Sequence, residues 1–360
     1  MSSFSAGPGN TPANTVADRP NGAEPAAGQH GHLTRGAALS LAPSTAHIAP
    51  EIGTVLARRL REEGVETLDV EFEAEHRIVW SYFRHAQAPS FTPELLRDIG
   101  AVQRSVRRLF AEQVDPEVVP VRYMVWASRL RSIWNLGGDL RLFARLIRDR
   151  DRERLIAYAL EVVREGHSNA TNLNLPVITI SLVQGDALGG GFEAALSSNL
   201  IVAERSARFG LPEILFNLFP GMGAYTFLAR RIDPARAERM IFSGKIYTAT
   251  ELHELGVVDV LAEDGQGEQA LYDYVRRNAR AHRTHCAIYR VRQRFHPITY
   301  EEMADIATIW VDTALRLEEA DLRKMERLVV AQNRRLERLA LHARTQTGPT
   351  PIAGTRDGAA

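Results

Sequence analysis

The chain has 360 residues, 45% of them hydrophobic, which is enough for one large domain or two smaller ones with a substantial core. Its 44 basic and 44 acidic residues give zero formal net charge, so overall charge gives no reason to expect a nucleic-acid partner. The single cysteine, Cys286, excludes an internal disulfide and a cysteine metal site and agrees with a cytoplasmic location, and no apolar run approaches the roughly 18 residues of a membrane span.

The first 45 residues are rich in Ala, Gly, Pro, Ser, Thr and Asn, and this composition predicts a disordered tail without a recognisable secretory signal. A helix is predicted for 51–63, where apolar residues recur at helical spacing. Alternating apolar and acidic residues predict a strand from 68 to 73, and a second strand is predicted from 78 to 83. The helix predicted for 92–110 has a Thr as its N-cap and a Pro at its first position.

The segment 118–127 is apolar and predicts a buried strand. A glycine-containing turn, Trp134-Asn135-Leu136-Gly137-Gly138-Asp139-Leu140, follows it. The next stretch, 140–165, predicts one long helix whose run of charged residues indicates a solvated face. A strand over 176–183 then leads directly into Gln184-Gly185-Asp186-Ala187-Leu188-Gly189-Gly190-Gly191-Phe192-Glu193.

Predicted elements after this second glycine motif are a helix (192–198), a strand (200–203), a loop (209–213), helices (224–231, 235–242 and 251–255) and a strand (257–261). Beyond 268 the pattern is helical to about 343, interrupted near Pro297, and 346–360 is expected to be a loose tail. The repeated order of strand, strand and helix predicts a mixed α/β core over 46–267, followed by a helical region over 268–345.

Both glycine turns lie between a strand and a helix. Two backbone N–H groups that converge on one carbonyl oxygen would form an oxyanion hole, and the spacing suggests the amides of Leu136 and Gly190 as donors. Each turn alone could equally be a tight connection. The motifs of dinucleotide-binding, phosphate-binding and serine-hydrolase loops are absent, so no cofactor is predicted.

Glu193 and Glu213 are the candidate acid–base pair because both lie in apolar, glycine- or proline-flanked segments. Alternatively, Glu193 is a first-turn helix charge and Glu213 an ion-pair partner of a nearby arginine. The scattered histidines do not have metal-ligand spacing. Trp310 is explained by core packing or, as a second interpretation, as a wall of an acyl pocket.

These motifs, with Phe209-Gly210-Leu211-Pro212-Glu213 and Phe219-Pro220-Gly221-Met222-Gly223, resemble the crotonase (enoyl-CoA hydratase/isomerase) superfamily over roughly residues 65–265. The resemblance implies an α/β fold, a crotonase-like spiral of β-β-α units with a helical C-terminal region, acting on acyl thioesters. It implies an oxyanion hole at Leu136 and Gly190 and a hydratase-type pair at Glu193 and Glu213. Gly137, Gly138, Gly189, Met222 and Trp310 are assigned to substrate binding.

Within that superfamily, the segments 134–140, 191–198 and 212–224 are similar to diffusible signal factor synthases of Gram-negative bacteria. That similarity implies dehydration of a 3-hydroxyacyl chain on acyl carrier protein to a cis-2-enoyl chain, and thioester hydrolysis that releases the free fatty acid signal. It also implies docking to the receiver domain of a sensor kinase, and we expect a homo-oligomer. The alternatives are a CoA-dependent enoyl-CoA hydratase/isomerase and a non-catalytic regulatory binding protein on the same fold.

Overall fold

The computed structural model describes residues 48–85, 89–115 and 117–346. The tail predicted at 1–45 lies outside the described residues, and so does the tail predicted at 346–360 except for its first residue. Among the described residues, no helix combines the length and the apolar character that crossing a membrane requires.

The described residues form ten strands: β1 (Leu68–Glu73), β2 (Ile78–Phe83), β3 (Tyr123–Ser128), β4 (Ile133–Asn135), β5 (Ile178–Val183), β6 (Asp186–Leu188), β7 (Leu200–Glu204), β8 (Arg208–Gly210), β9 (Ile246–Thr248) and β10 (Val260–Ala262). They also form twelve α-helices: α1 (Ile48–Glu62), α2 (Pro93–Ala111), α3 (Leu140–Arg148), α4 (Arg152–Ala170), α5 (Gly190–Leu196), α6 (Ala224–Arg231), α7 (Pro234–Ser243), α8 (Ala249–Glu254), α9 (Gly267–Asn278), α10 (His282–Phe295), α11 (Tyr300–Ala314) and α12 (Glu319–Gln346).

The strands build two sheets. The large sheet has the order β1-β2-β3-β5-β7-β10 and is parallel except for the β1–β2 pair. The small sheet has the order β4-β6-β8-β9 and is parallel except for the β8–β9 pair. Each central turn of the chain therefore places its first strand in the large sheet and its second strand in the small sheet before a helical segment follows. The predicted spiral of β-β-α units is confirmed.

The apolar runs explain the centre of the large sheet. Every residue of β2, β3 and β5 is buried, as expected for strands covered on both faces. The predicted start of α2 is also confirmed, because the Thr92 side chain accepts a hydrogen bond from the Leu95 N–H and Pro93 occupies the first turn.

The single helix predicted for 140–165 is wrong. Helix α3 ends at Arg148 and α4 begins at Arg152, and between them Arg150 has a φ of 51°. The Asp151 side chain accepts a hydrogen bond from the Arg154 N–H and caps the second helix. The charged residues that predicted a solvated helix face therefore include those at which the helix is interrupted.

Several strand boundaries also differ, and the strand predicted from 257 begins only at Val260. The strand predicted from 118 begins only at Tyr123, and the segment 209–213, predicted as a loop, contributes Phe209 and Gly210 to β8 before a 3₁₀ helix begins at Pro212. The strands β6, β8 and β9 have three residues each, too few for a periodic sequence pattern.

The C-terminal helices pack back onto the spiral, so the predicted helical region is confirmed. Helix α11 packs on α4, while α12 packs on α3 and on the 3₁₀ helix Pro212–Phe216. Arg148 of α3 pairs with Glu319 at 2.7 Å and Glu326 at 2.6 Å of α12. Arg335, farther along α12, pairs with Asp186 of β6. These contacts hold the last helix over the small sheet.

Candidate active site

The candidate site lies at one edge of the small sheet. Strands β4, β6 and β8 are parallel neighbours, so their carboxyl ends lie side by side. The segments that follow them are 136–139, 189–191 and 211–213, which contain the two glycine turns and Glu213. Three motifs that are distant in sequence thus meet because each follows the second strand of a β-β-α unit.

The two glycine turns are in direct contact. Gly137 has a φ of 94°, and a Cβ at this position would lie only 2.8 Å from the Gly190 nitrogen. A Cβ on Gly191 would lie 2.0 Å from the Asn135 carbonyl oxygen. Side chains at these positions would force the turns apart, so the glycines allow the two backbone segments to approach each other.

The hydrogen bonds at these turns change one predicted donor. The Leu136 N–H donates to the Pro89 carbonyl oxygen at 2.6 Å, and Leu136 is buried. Neither the Gly138 N–H nor the Gly190 N–H has an acceptor among the described residues, and both glycines are partly exposed. The Gly138 nitrogen lies 3.3 Å from the place a Gly190 Cβ would occupy. Gly138 therefore replaces Leu136 as the candidate partner of Gly190, because an engaged N–H cannot bind a carbonyl oxygen.

Asn135 supports this turn and was not singled out in the sequence. Its side-chain oxygen accepts a hydrogen bond from the Gly137 N–H at 2.8 Å, and the residue is fully buried. A polar residue directly before a glycine turn is the sequence signal that could have identified it.

Glu193 lies on α5, one helical turn after Gly190, and is 4% exposed. Its Oε1 accepts hydrogen bonds from the Met222 N–H at 2.8 Å and the Ala224 N–H at 2.9 Å. Met222 in the motif 219–223 and Ala224 at the start of α6 thus supply two backbone donors that orient this carboxyl group.

Glu213 lies in the 3₁₀ helix after β8 and is 9% exposed. Its Oε1 would be 2.6 Å from a Cβ at Gly189, so the carboxyl group packs directly beside the second glycine turn. Its Oε2 is buried and has no hydrogen-bond partner among the described residues. A buried carboxyl oxygen without a hydrogen-bond partner can interact with a bound molecule.

Burial raises the pKa of Glu193 and the pKa of Glu213 above the ordinary carboxyl value. For Glu193, the hydrogen bonds from the Ala224 and Met222 backbone oppose the increase in pKa. For Glu213, the neighbouring charge of Glu193 increases the pKa further. The two backbone donors favour the ionised form of Glu193, whereas Glu213 Oε2 has no donor among the described residues.

Two cavities meet at Glu193 and Met222. The larger one, here called the apolar cavity, encloses about 540 Å³ including its opening and also reaches Gly190. Its walls are mostly aromatic and aliphatic, with contributions from Phe83, Leu96, Ile99, Trp126, Trp134 and Phe227. The smaller cavity, of about 330 Å³, lies between Glu193 and Glu213. This arrangement provides an apolar chamber next to a pair of carboxyl groups.

Trp310 lines the smaller cavity rather than the apolar one. It comes from α11 and lies against Gly221, where a Cβ would be 2.4 Å from the tryptophan side chain. Its ring also meets Phe143 edge-on, with ring centroids 5.1 Å apart. The tryptophan is 2% exposed, so it is a core residue that also forms a wall beside the two glutamates.

The family model of enoyl-CoA hydratase/isomerase matches residues 136–296. Mitochondrial methylglutaconyl-CoA hydratase of Mus musculus is 30% identical over 178 residues, covering 48% of this chain and 53% of that protein. The mitochondrial enoyl-CoA hydratase domain-containing protein 2 of Homo sapiens is 33% identical over 153 residues, covering 42% and 49%. An enoyl-CoA hydratase crystal structure from Bacillus halodurans aligns with a TM-score of 0.60 at 18% identity, covering 72% of this chain and 98% of that chain.

The chain spans about half the length of the two curated relatives. The structural likeness shows a crotonase-like fold, and the matched segment carries both glutamates and both glycine turns.

Proposed function

We propose that this chain, which has a crotonase-like fold and matches the family model of enoyl-CoA hydratase/isomerase over residues 136–296, belongs to that superfamily and adds or removes water across the α,β-bond of an acyl thioester. The observation that carries the proposal is the pair of buried glutamates, Glu193 and Glu213, beside two glycine N–H groups that have no acceptor within the described ranges. A single buried glutamate or a single free backbone N–H group is common. An enolate intermediate requires both kinds together, because carboxyl groups move the protons and N–H groups stabilise the negative charge.

The thioester carbonyl oxygen accepts hydrogen bonds from the N–H groups of Gly138 and Gly190. These donors stabilise the negative charge that develops on the oxygen when the α-proton leaves. Both donors are backbone groups held by the contact of two turns, so they need little reorganisation during the reaction. The acyl chain extends into the apolar cavity, which Gly190 and Glu193 also line.

The positions of the carboxyl groups suggest their roles. Glu213 packs against Gly189, which directly precedes Gly190, one of the two oxyanion-hole donors. Its carboxyl group therefore faces the α-carbon, which is the atom bonded to the thioester carbonyl group. Glu193, where the cavities meet, faces the β-carbon and its oxygen. In hydration, ionised Glu193 activates water and protonated Glu213 delivers the α-proton. In dehydration, Glu213 removes the α-proton and Glu193 protonates the departing hydroxyl group.

The more specific proposal is a diffusible signal factor synthase acting on 3-hydroxyacyl chains bound to acyl carrier protein. The motif similarity over 134–140, 191–198 and 212–224 supports it. The enzyme then forms a cis-2-enoyl thioester and hydrolyses it, with one glutamate activating water and the same hole holding the tetrahedral oxyanion. Docking to a sensor kinase receiver domain, a homo-oligomeric state and a cytoplasmic location stay predictions.

The test of the shared chemistry is α-proton exchange. A saturated acyl thioester without a 3-hydroxyl group can exchange its α-protons with D₂O but cannot lose water. We expect Glu193→Gln to retain this exchange and Glu213→Gln to lose it, while both variants lose dehydration. Exchange that survives in Glu213→Gln contradicts the assignment, and dehydration that survives in both variants contradicts the proposed reaction.

A second candidate is a CoA-dependent hydratase, because the matched relatives are named as hydratases and one of them as a hydratase of methylglutaconyl-CoA. The same 3-hydroxyacyl chain offered on CoA and on carrier protein distinguishes the two candidates. A higher kcat/KM for the carrier-bound chain, with a free cis-2-enoic acid detected by mass spectrometry, supports the synthase. A CoA preference without release of free acid supports the hydratase.

A further inference from the structure

Four polar side chains line the apolar cavity and take no part in the proposed reaction. Two of them, Asn169 and Ser197, are hydrogen-bonded to each other, which leaves Gln103 and Glu165. Gln103 comes from α2 and Glu165 from α4, so neither belongs to the turns that carry Glu193 and Glu213. A cavity that served only a hydrocarbon chain would not need them, because buried polar groups without partners are destabilising.

Gln103 is 1% exposed. Its side-chain nitrogen donates to the Glu165 carbonyl oxygen at 3.1 Å, which fixes the orientation of the amide group. The amide oxygen consequently faces away from that bond, and it is buried without a donor among the described residues. Gln103 thus offers an unpaired hydrogen-bond acceptor in the wall of the cavity.

Glu165 offers a second acceptor. It is 8% exposed, and its carboxyl group forms no hydrogen bond or ion pair with any residue of the described ranges. Arg104 lies nearby but pairs with Glu63, and Arg107 donates to a serine. Arg164 pairs with Glu161. Three cations are therefore close enough to influence this carboxyl group without neutralising it by contact.

The helix opposite Glu165 is shaped to receive this carboxyl group. Gly100 lies in the interior of α2, where glycine is destabilising by roughly 0.5–1 kcal/mol relative to alanine. A Cβ at Gly100 would lie 3.0 Å from Glu165 Oε1 and 2.9 Å from a guanidinium nitrogen of Arg104. The missing side chain leaves room for the carboxyl group at the wall of the cavity.

We infer that the apolar cavity selects an acyl chain that carries a hydroxyl group toward its far end, where the hydroxyl donates to the Gln103 amide oxygen and lies against the Glu165 carboxyl group. The inference rests on the proposed function, because it takes the ligand to be the acyl part of a thioester. The Gln103 amide oxygen can only accept a hydrogen bond, so the ligand must supply a donor. A carboxylate would place acceptor against acceptor, and an ammonium group is disfavoured by Arg104 and Arg107.

The test compares 3-hydroxyacyl thioesters that are identical except for a terminal methyl or a terminal hydroxymethyl group, over a series of chain lengths. A buried acceptor left unpaired costs about 1–3 kcal/mol, so at the best length we expect kcat/KM to be about tenfold or more higher for the hydroxyl-ended chain. The double variant Gln103→Leu/Glu165→Leu removes both acceptors and should reverse this preference. Glu161→Leu, one turn earlier on α4 and outside the cavity lining, should leave the preference unchanged.

Equal rates for the two chain types at every length would overturn the inference, as would a hydroxyl preference that survives in the double variant. If the double variant does not fold, Glu165→Gln and Gln103→Met separately should each lower the preference, and an unchanged preference in both contradicts the inference. Calorimetric binding of the free hydroxy acid and the free alkyl acid gives a readout that needs no turnover. Turnover of methyl-ended chains alone refutes only the hydroxyl inference, whereas no turnover of either series refutes the proposed function.

Discussion

The contact between Gly189 and Glu213 makes Gly189→Ala a sharp test of how the catalytic pair is held. Gly189 has φ 55° and ψ −130°, a conformation that an alanine adopts only with strain. Its added Cβ would also lie 2.6 Å from Glu213 Oε1. The substitution therefore acts on the backbone and on the carboxyl group at once.

The two effects have different magnitudes and different readouts. A strained backbone conformation costs about 1–3 kcal/mol, which lowers the free energy of unfolding. The carboxyl oxygen must retreat by about half an ångström or more to reach an ordinary contact distance. Because a misplacement of about 1 Å can cost about 10²-fold in rate, we expect kcat to fall by about 10- to 100-fold.

The assay pairs urea unfolding with dehydration kinetics on the preferred thioester. The matched control is Gly256→Ala, since Gly256 has a φ of 77° and a Cβ there would meet nothing within 4 Å. It should lose about 1–2 kcal/mol of stability and keep kcat within about twofold of the wild type. A folded Gly189→Ala protein with a wild-type kcat would refute the proposed packing of Glu213, and so would an equal loss of kcat in the control.

Three further predictions concern the oxyanion-hole donor Gly190, the cavity wall at Trp310 and the buried carboxyl group of Glu165. Gly190→Pro removes one hole donor and places a ring against Gly137 and Gly138, so kcat should fall at least about 10²–10³-fold, and a wild-type kcat would contradict the proposed hole. Trp310→Ala empties the space over Gly221 and should cost about 3–5 kcal/mol in urea unfolding, whereas a loss below about 1 kcal/mol would contradict its core role. Burial raises the pKa of Glu165 to about 7, so the stability that its protonated form contributes is present below the ordinary carboxyl pKa and is lost as pH rises through about 7. Glu165→Gln should match the wild type in acid and exceed its free energy of unfolding by up to about 3 kcal/mol above pH ~7, and parallel urea curves across this range would contradict it.

The spiral could be predicted from the sequence because its turns carry contiguous motifs. The glycines around Gly190 and the proline before Glu213 are visible without any knowledge of the fold, and the order of the motifs agrees with the superfamily. Their meeting at one sheet edge follows from alternation of strands between the two sheets. The short strand that positions Glu213 could not be predicted, because three residues do not establish a period.

The donor at the first glycine turn could not be read from the sequence for a different reason. Whether the N–H of Leu136 or of Gly138 is free depends on the carbonyl group of Pro89, a residue from an earlier turn of the spiral. Spacing within a motif contains no information about such a partner. The break at Arg150 was hidden similarly, because the charges around it suit either an exposed helix or two helix caps.

The alternation of strands between two sheets also sets the order in which the site can be made during synthesis. Strand β4 and its glycine turn emerge first, β6 with Glu193 follows, and β8 with Glu213 comes later, while the N–H groups that orient Glu193 belong to residues 222 and 224. Parallel pairing between these strands requires closure of long loops, which slows folding. A nascent chain that ends before Met222 therefore has a carboxyl group at Glu193 without its two backbone donors. Ligand binding that needs an oriented Glu193 can assist folding only after that point, because the two donors do not exist earlier.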